Sequence, residues 1–284
     1  MLSHRIEIVR GPAALLYCSG AAGGLVNVVD TRFVQEPLDK PFNAGVALGA
    51  DTAAGIRDGA VRTQFGTGNI AFSADYFYRS TDDIEIPGFA ESKALRELEE
   101  AEGGEGEEGE EEAFGVVENT NSETSGGALG VSFLSENGFV GLSFSGFDSE
   151  DGIPGHHHEE EGEVPLPGEP VEEEEMVRID LEQARVDLAG EYDLEGRFLR
   201  GIRFRAAVND YEHTELEGEE TGTIYDVKGI DSRIELRHAR LGAMEGAIGL
   251  QYRDEQFDAI GDEAFLPKAD TTTFSLFVFE EIEL

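Results

Sequence analysis

From Phe42 to the C-terminus, apolar and polar residues alternate with a period of two. That is the repeat of a strand with one apolar and one polar face, and no helix accommodates it. In NIAFSADYFYR, Ile70, Phe72, Ala74, Tyr76 and Tyr78 share one face, while Ser73, Asp75 and Arg79 lie on the other with Ala71 and Phe77. Val140, Leu142 and Phe144 oppose Gly141, Ser143 and Ser145. Ile202, Phe204, Ala206 and Val208 likewise oppose Arg203, Arg205 and Asn209. About ten such strands follow one another. Their connections alternate too. Short turns are expected near Gly66–Asn69, Ser135–Gly138, Asp193–Arg197 and Ala239–Gly242. Long connections are expected near Asp51–Asp58, Ser80–Asn121, Asp148–Met176, Glu212–Thr223 and Asp258–Asp270. All long connections therefore leave one edge of the sheet.

A soluble sandwich has no reason to sort its connections in this way, and it would bury its apolar faces against a second sheet. An antiparallel transmembrane β-barrel has short turns on one side, long loops on the other, an apolar outer band and a polar lumen. Tyr76, Tyr78, Tyr192 and Tyr252 fall near strand ends, as an interfacial girdle requires. Arg203, Arg205, Arg233, Glu235 and Arg237 would be costly in a dry core without partners, and cost little in a wet lumen. No apolar run of about 18 residues is present, so no membrane-spanning helix is encoded.

The charge is equally uneven. The 284 residues carry 61 Asp+Glu against 21 Lys+Arg, a formal net charge of −40. This excludes a nucleic-acid binder, which needs a basic face to neutralise phosphates. Residues 80–121 hold 15 Asp+Glu against Lys93 and Arg96, and residues 148–176 hold 12 with no Lys or Arg. The first contains EEAEGGEGEEGEEEAF, a Glu/Gly run that repels itself and has little to bury. The second reads DSEDGIPGHHHEEEGEVPLPGEPVEEEEM, in which three consecutive histidines precede three glutamates. A single cysteine excludes a disulfide framework or a Cys-rich zinc module.

The stretch RIEIVRGPAALLYCSGAAGGLVNVVDTR, from Arg5 to Arg32, reads as strand, turn, short helix, glycine turn and strand. It lacks the Lys-Ser/Thr of a phosphate loop. It resembles the C-terminal part of the plug domain of TonB-dependent outer-membrane receptors, and Arg10, Gly11, Pro12, Gly23, Gly24 and Asn27 carry the motif. RSTDDIEIPGF, the GIPG-then-His segment, RIDLEQARVDLAGEY, RFRAAVNDYEHTE and AIGDEAFLPKADT extend the likeness along the chain, closest to the zinc-uptake branch. The resemblance implies an all-β fold: part of a transmembrane barrel, about ten of 22 strands, preceded by the C-terminal part of an α/β plug. It divides the chain into residues 1–38 of plug and 39–284 of barrel, with long outer loops at 80–121 and 148–176. It also implies an internal piece of a longer receptor, since the start, MLSHRIEIVRGP, has no apolar signal core. The outer membrane of a Gram-negative bacterium is the implied location. TonB with ExbB and ExbD, acting through an upstream plug region, and outer-membrane lipid and lipopolysaccharide are the implied partners.

The candidate metal-capturing residues are His156, His157, His158, Glu159 and Glu160, with Asp148, Asp151 and His213 as helpers. Neutral imidazole and carboxylate oxygen both suit Zn²⁺, and clustered glutamates supply an attracting field. Three adjacent histidines diverge, so two of them with carboxylates from elsewhere make the better ligand set. The competing reading is a solvated polar loop. His4 and His238 lie apart from this cluster and read as structural. No arrangement of nucleophile and base, or of paired carboxylates, points to an enzyme. The expected function is receptor-mediated uptake of zinc as cargo, without a tightly bound cofactor. Uptake of haem or a ferric siderophore by the same barrel is the first alternative. A secreted acidic cation-binding β-protein is the second.

Overall fold

A computed structural model describes residues 3–10, 23–96, 113–154, 176–218, 220–261 and 264–282. Strands β1 (Ser3–Arg10) and β2 (Gly24–Asp30) form a small antiparallel sheet of their own. Gly24 pairs with Arg10 at φ +139°, and a Cβ there would collide with the Val9 carbonyl, so the position requires glycine. Asn27 Nδ2 donates to Glu7 Oε2 across the pair at 2.8 Å.

The body of the molecule is a ten-stranded antiparallel sheet in the order β14-β13-β12-β11-β10-β9-β8-β5-β4-β3. Its members are β3 (Phe42–Ala50), β4 (Arg57–Thr67), β5 (Ile70–Thr81), β8 (Ser122–Ser135), β9 (Gly138–Gly152) and β10 (Val177–Asp193). They continue with β11 (Leu199–Glu217), β12 (Glu220–His238), β13 (Met244–Gly261) and β14 (Ala269–Ile282). The remaining two, β6 (Ile84–Phe89) and β7 (Phe114–Val117), pair with each other between β5 and β8. The ten alternating segments are thus one continuous meander, and β3 and β14 each have a single neighbour among the described residues.

The two faces differ as the alternation requires. One presents Val46, Leu48, Phe72, Leu129, Phe144, Leu188, Leu250 and Leu276 outward, with Leu48 85% and Leu276 67% exposed. Exposed apolar area of this extent is not tolerated by a monomer in water. Against lipid it carries no cost. The belt ends at polar residues on the same face, at Glu182, Asp210, Lys228 and Asp254, with Tyr252 at the border.

The opposite face is lined by Asp75, Asp187, Asn209, Arg205, Arg233 and Asp231, as cross-strand registers place them. Against it lies the connector that follows β2. Val34, 5% exposed, packs with Ala71, Leu134, Phe139 and Ala189, and Phe33 and Leu38 flank it. Ser73 Oγ donates to the Arg32 carbonyl at 2.6 Å. Gly130 and Gly141 leave the room: a Cβ at Gly130 would strike the Arg32 carbonyl, and one at Gly141 would press on the Phe33 ring.

Three expectations need correction. The connection near Glu212–Thr223 is not a long loop: β11 runs to Glu217, β12 begins at Glu220, and Gly218 turns the chain at φ +57°. Above the lipid belt the outward face needs no apolar residues, so alternation there pairs polar with aromatic and looks like a loop. For the same reason Asp148, Glu150 and Asp151 belong to β9 and not to the loop beyond it. The long outer loop at 80–121 is not loop along its whole length, since β6 and β7 pair within it and the Phe89 and Phe114 rings meet edge to face at 4.7 Å; its Glu/Gly run, up to Glu112, lies outside the described residues.

Candidate functional site

The inward face changes character along the strands. At the end with short turns it is an ion-pair lattice. Arg203 donates to Glu191 at 3.0 and 3.1 Å, Arg233 to Glu235 at 2.7 Å, and Arg237 reaches both Asp193 and Glu191. These are charges that alternation placed inside; Arg203 pairs with the neighbouring strand, Arg233 with a residue two along its own, and Arg237 reaches across β11 to β10.

Halfway up, Arg32 from the connector bridges Asp30 at 2.6 Å and Asp187 at 2.8 Å, and Arg185 also holds Asp187. The Arg32 and Asp187 side chains are 14% and 13% exposed, so solvent screens this pair far less than the rim pairs. Arg205 stands opposite Ala189 and Arg233, with no ion pair to another described residue. Among the described residues it is an exposed cation of the inward face.

Toward the end with long connections the lining becomes aromatic. Tyr211 and His213 lie two residues apart on β11, which gives them the same face. Tyr225 stands directly across from His213 on β12, and Phe257 follows on β13. The His213 and Tyr225 rings stack at 4.4 Å, Tyr211 meets His213 edge to face at 5.7 Å, and Tyr225 lies 6.3 Å from Phe257. The Tyr211 hydroxyl and His213 Nδ1 share a hydrogen bond of 3.1 Å. Burial pushes the His213 imidazole below its ordinary pKa, with Glu215 opposing in part, and burial raises the Tyr211 phenol. Below the rings Gln183 donates to Asn209 at 2.7 Å. The result is a neutral aromatic wall with polar edges, suited to a flat or aromatic ligand.

The predicted site residues divide. His156, His157, His158, Glu159 and Glu160 lie outside the described residues, as do Gly11 and Pro12 of the plug motif. Asp151 and His213 share the inward face at the same end, two strands apart, and Asp151 accepts from Ser149 Oγ at 2.7 Å. Asp148 does not join them, because three residues along a strand reverse the face, and it is exposed on the outward side. Among the described residues no group of three or more His, Cys, Asp or Glu side chains is placed to hold a metal. His238 bonds the Ala239 carbonyl at 2.8 Å and Glu280 at 2.9 Å, tying β12 to β14 across β13. Tyr211, Tyr225 and Phe257 were not singled out from sequence. The i, i+2 spacing of Tyr211 and His213 was the available signal, hidden by reading the segment as loop.

Comparison with known proteins bears directly on this architecture. No family model matches the chain. The solved structure of BauA, the ferric preacinetobactin receptor of Acinetobacter baumannii, superimposes with a TM-score of 0.59 at 11% identity, over 99% of this chain and 51% of that one. The fold is that of a TonB-dependent outer-membrane receptor. Curated relatives match shorter stretches: the hemin receptor of Yersinia pestis is 39% identical over 84 residues, and the ferric enterobactin receptor PirA of Pseudomonas aeruginosa is 41% identical over 59. Those matches span 10% and 7% of the relatives' lengths, and the whole chain spans about half of BauA. The apolar belt is therefore the surface an outer-membrane barrel turns to lipid. None of these three names concerns zinc, so the zinc-uptake reading gains no support from them.

Proposed function

We propose that the chain is part of an outer-membrane receptor that captures a ferric chelate, either a siderophore or haem, at the outer end of its lumen. The inward aromatic wall of Tyr211, His213, Tyr225 and Phe257 carries this reading, because aromatic rings stack on catechol or porphyrin planes without demanding charge. Arg205 lower on the same face supplies a cation for an anionic chelate. Relatives named for hemin and ferric enterobactin support this cargo class. On this reading residues 1–38 serve as the last part of a plug. TonB with ExbB and ExbD supplies energy through plug residues outside this chain, and lipid and lipopolysaccharide surround the belt. The test is fluorescence quenching by ferric enterobactin and by hemin, in the wild-type protein and in Tyr225→Ala and His213→Ala variants. Loss of either ring should weaken one of the two ligands by about tenfold. Unchanged affinity for both ligands, or no binding by the wild type, overturns the reading.

A second reading retains zinc as cargo. Its support is the sequence His156-His157-His158-Glu159-Glu160, with Asp151 and His213 on the inward face as helpers. Asp148 is no longer part of that ligand set. Replacing His156 to His158 by Ala should lower Zn²⁺ affinity in a direct titration, and an unchanged titration removes the loop from consideration.

A further inference from the structure

The two longest outer connections, between β5 and β8 and between β9 and β10, converge on one side chain. Asn119 is the only non-glycine residue among the described ones with positive φ, at 56°, a conformation that asparagine tolerates better than most residues. It is 8% exposed. Its Nδ2 donates to the Ile153 carbonyl at 2.9 Å and to the Val177 carbonyl at 2.8 Å, so one amide group holds both stems of the β9–β10 connection. Its Oδ1 accepts from Arg178 Nη1 at 3.4 Å, and the same nitrogen donates to Asn121 Oδ1 at 3.0 Å. Gly152 gives way to it, since a Cβ there would collide with Asn119.

The bend around Asn119 is also tied to the other connection. Asp83 Oδ1 accepts from the Thr120 and Asn121 amides at 2.9 and 3.0 Å, and the Ile84 amide donates to Thr120 Oγ1 at 2.8 Å. The Gly152 amide in turn donates to the Asn121 carbonyl at 3.1 Å, and the Ile153 amide to the Val177 carbonyl at 3.0 Å. Four stems thus meet around Asn119, three of them at its side chain, whose two N–H groups and carbonyl oxygen are all engaged, and the fourth, at Asp83 and Ile84, through Thr120 and Asn121.

We propose that Asn119 is a positioning residue that joins the described stems of the two longest connections, residues 83–84 and 119–121 of one and 152–153 and 177–178 of the other, into one unit, so that loosening one stem loosens the rest. The proposal stands on the hydrogen bonds around Asn119 and holds whichever cargo the lumen takes.

Amide hydrogen exchange on the protein inserted in outer membrane tests it, with heat-modifiable gel migration confirming that each variant is folded. Asn119→Gly keeps the left-handed backbone accessible and removes the amide. It should speed exchange at Ile153 and Gly152 on one connection, and at Thr120 and Asn121 on the other, by about tenfold in parallel. Asp83→Ala loosens only the first connection directly, yet should also speed Ile153 exchange. In the Asn119→Gly background that transmitted effect should vanish. Acceleration confined to one connection, no acceleration at all, or additive effects of the two substitutions would each overturn the proposal.

Discussion

Asp187 and Leu188 are adjacent in β10 and meet opposite demands. Leu188 belongs to the outward belt, where a charge would have to enter lipid, while Asp187 sits inward between Arg32 and Arg185. The difference shows that one strand can satisfy two solvents at once, provided its register never slips by a single residue. The sharpest way to break the comparison is to place the same charge on both faces. Leu188→Arg should cost about 2–4 kcal/mol near the middle of the bilayer, whereas Asn209→Arg on the inward face should cost under about 1 kcal/mol. Guanidinium unfolding from phosphocholine vesicles measures both. Similar costs would mean that the faces are wrongly assigned.

A second test concerns only the inward side. Arg32→Met removes the bridge between Asp30 and Asp187 and leaves Asp187 with Arg185 as its remaining partner. The expected loss is about 2 kcal/mol, below the cost of stranding a buried charge completely. Gly130→Val should approach that loss by a different route, displacing the connector by steric overlap at a cost of about 1–3 kcal/mol. If the double variant loses no more than the larger single one, the ion pair and the close fit belong to one seat.

The smallest effect sharpens the picture of the aromatic wall. Burial holds His213 below its ordinary pKa, so as pH falls the unfolded chain takes the proton first. The stability this residue contributes is complete above the unfolded value of about 6.5 and is lost as pH falls from there toward the lower folded-state value. His213→Phe should retain its stability over that interval while the wild type loses some of its own. Parallel profiles would place the imidazole in water.

Much of this was legible in the residues. The alternation around Phe72 and Phe144 foretold the outward belt and the inward placement of Arg203, Arg233 and Glu235, because period two leaves no other option; that these charges pair with one another, rather than standing in water, is visible only in the structure. What escaped was the continuation of the strands above the belt. There the outward face meets water, so Glu212, Asp226 and Asp258 replace valines and leucines, and the contrast that reveals a strand disappears. Asp148 and Asp151 are near in sequence, but three residues along β9 put them on opposite faces. Asn119 and Arg32 act through partners tens of residues away, and no local pattern announces such pairings.

The connector seated over Gly130 and Gly141 also sets a dimension. A wall bearing side chains at those positions would hold the segment from Arg32 to Leu38 farther off; with hydrogens there, it lies flush against the strands. How near the connector can come to the sheet is thus decided by two missing methyl groups on the strands as much as by its own side chains.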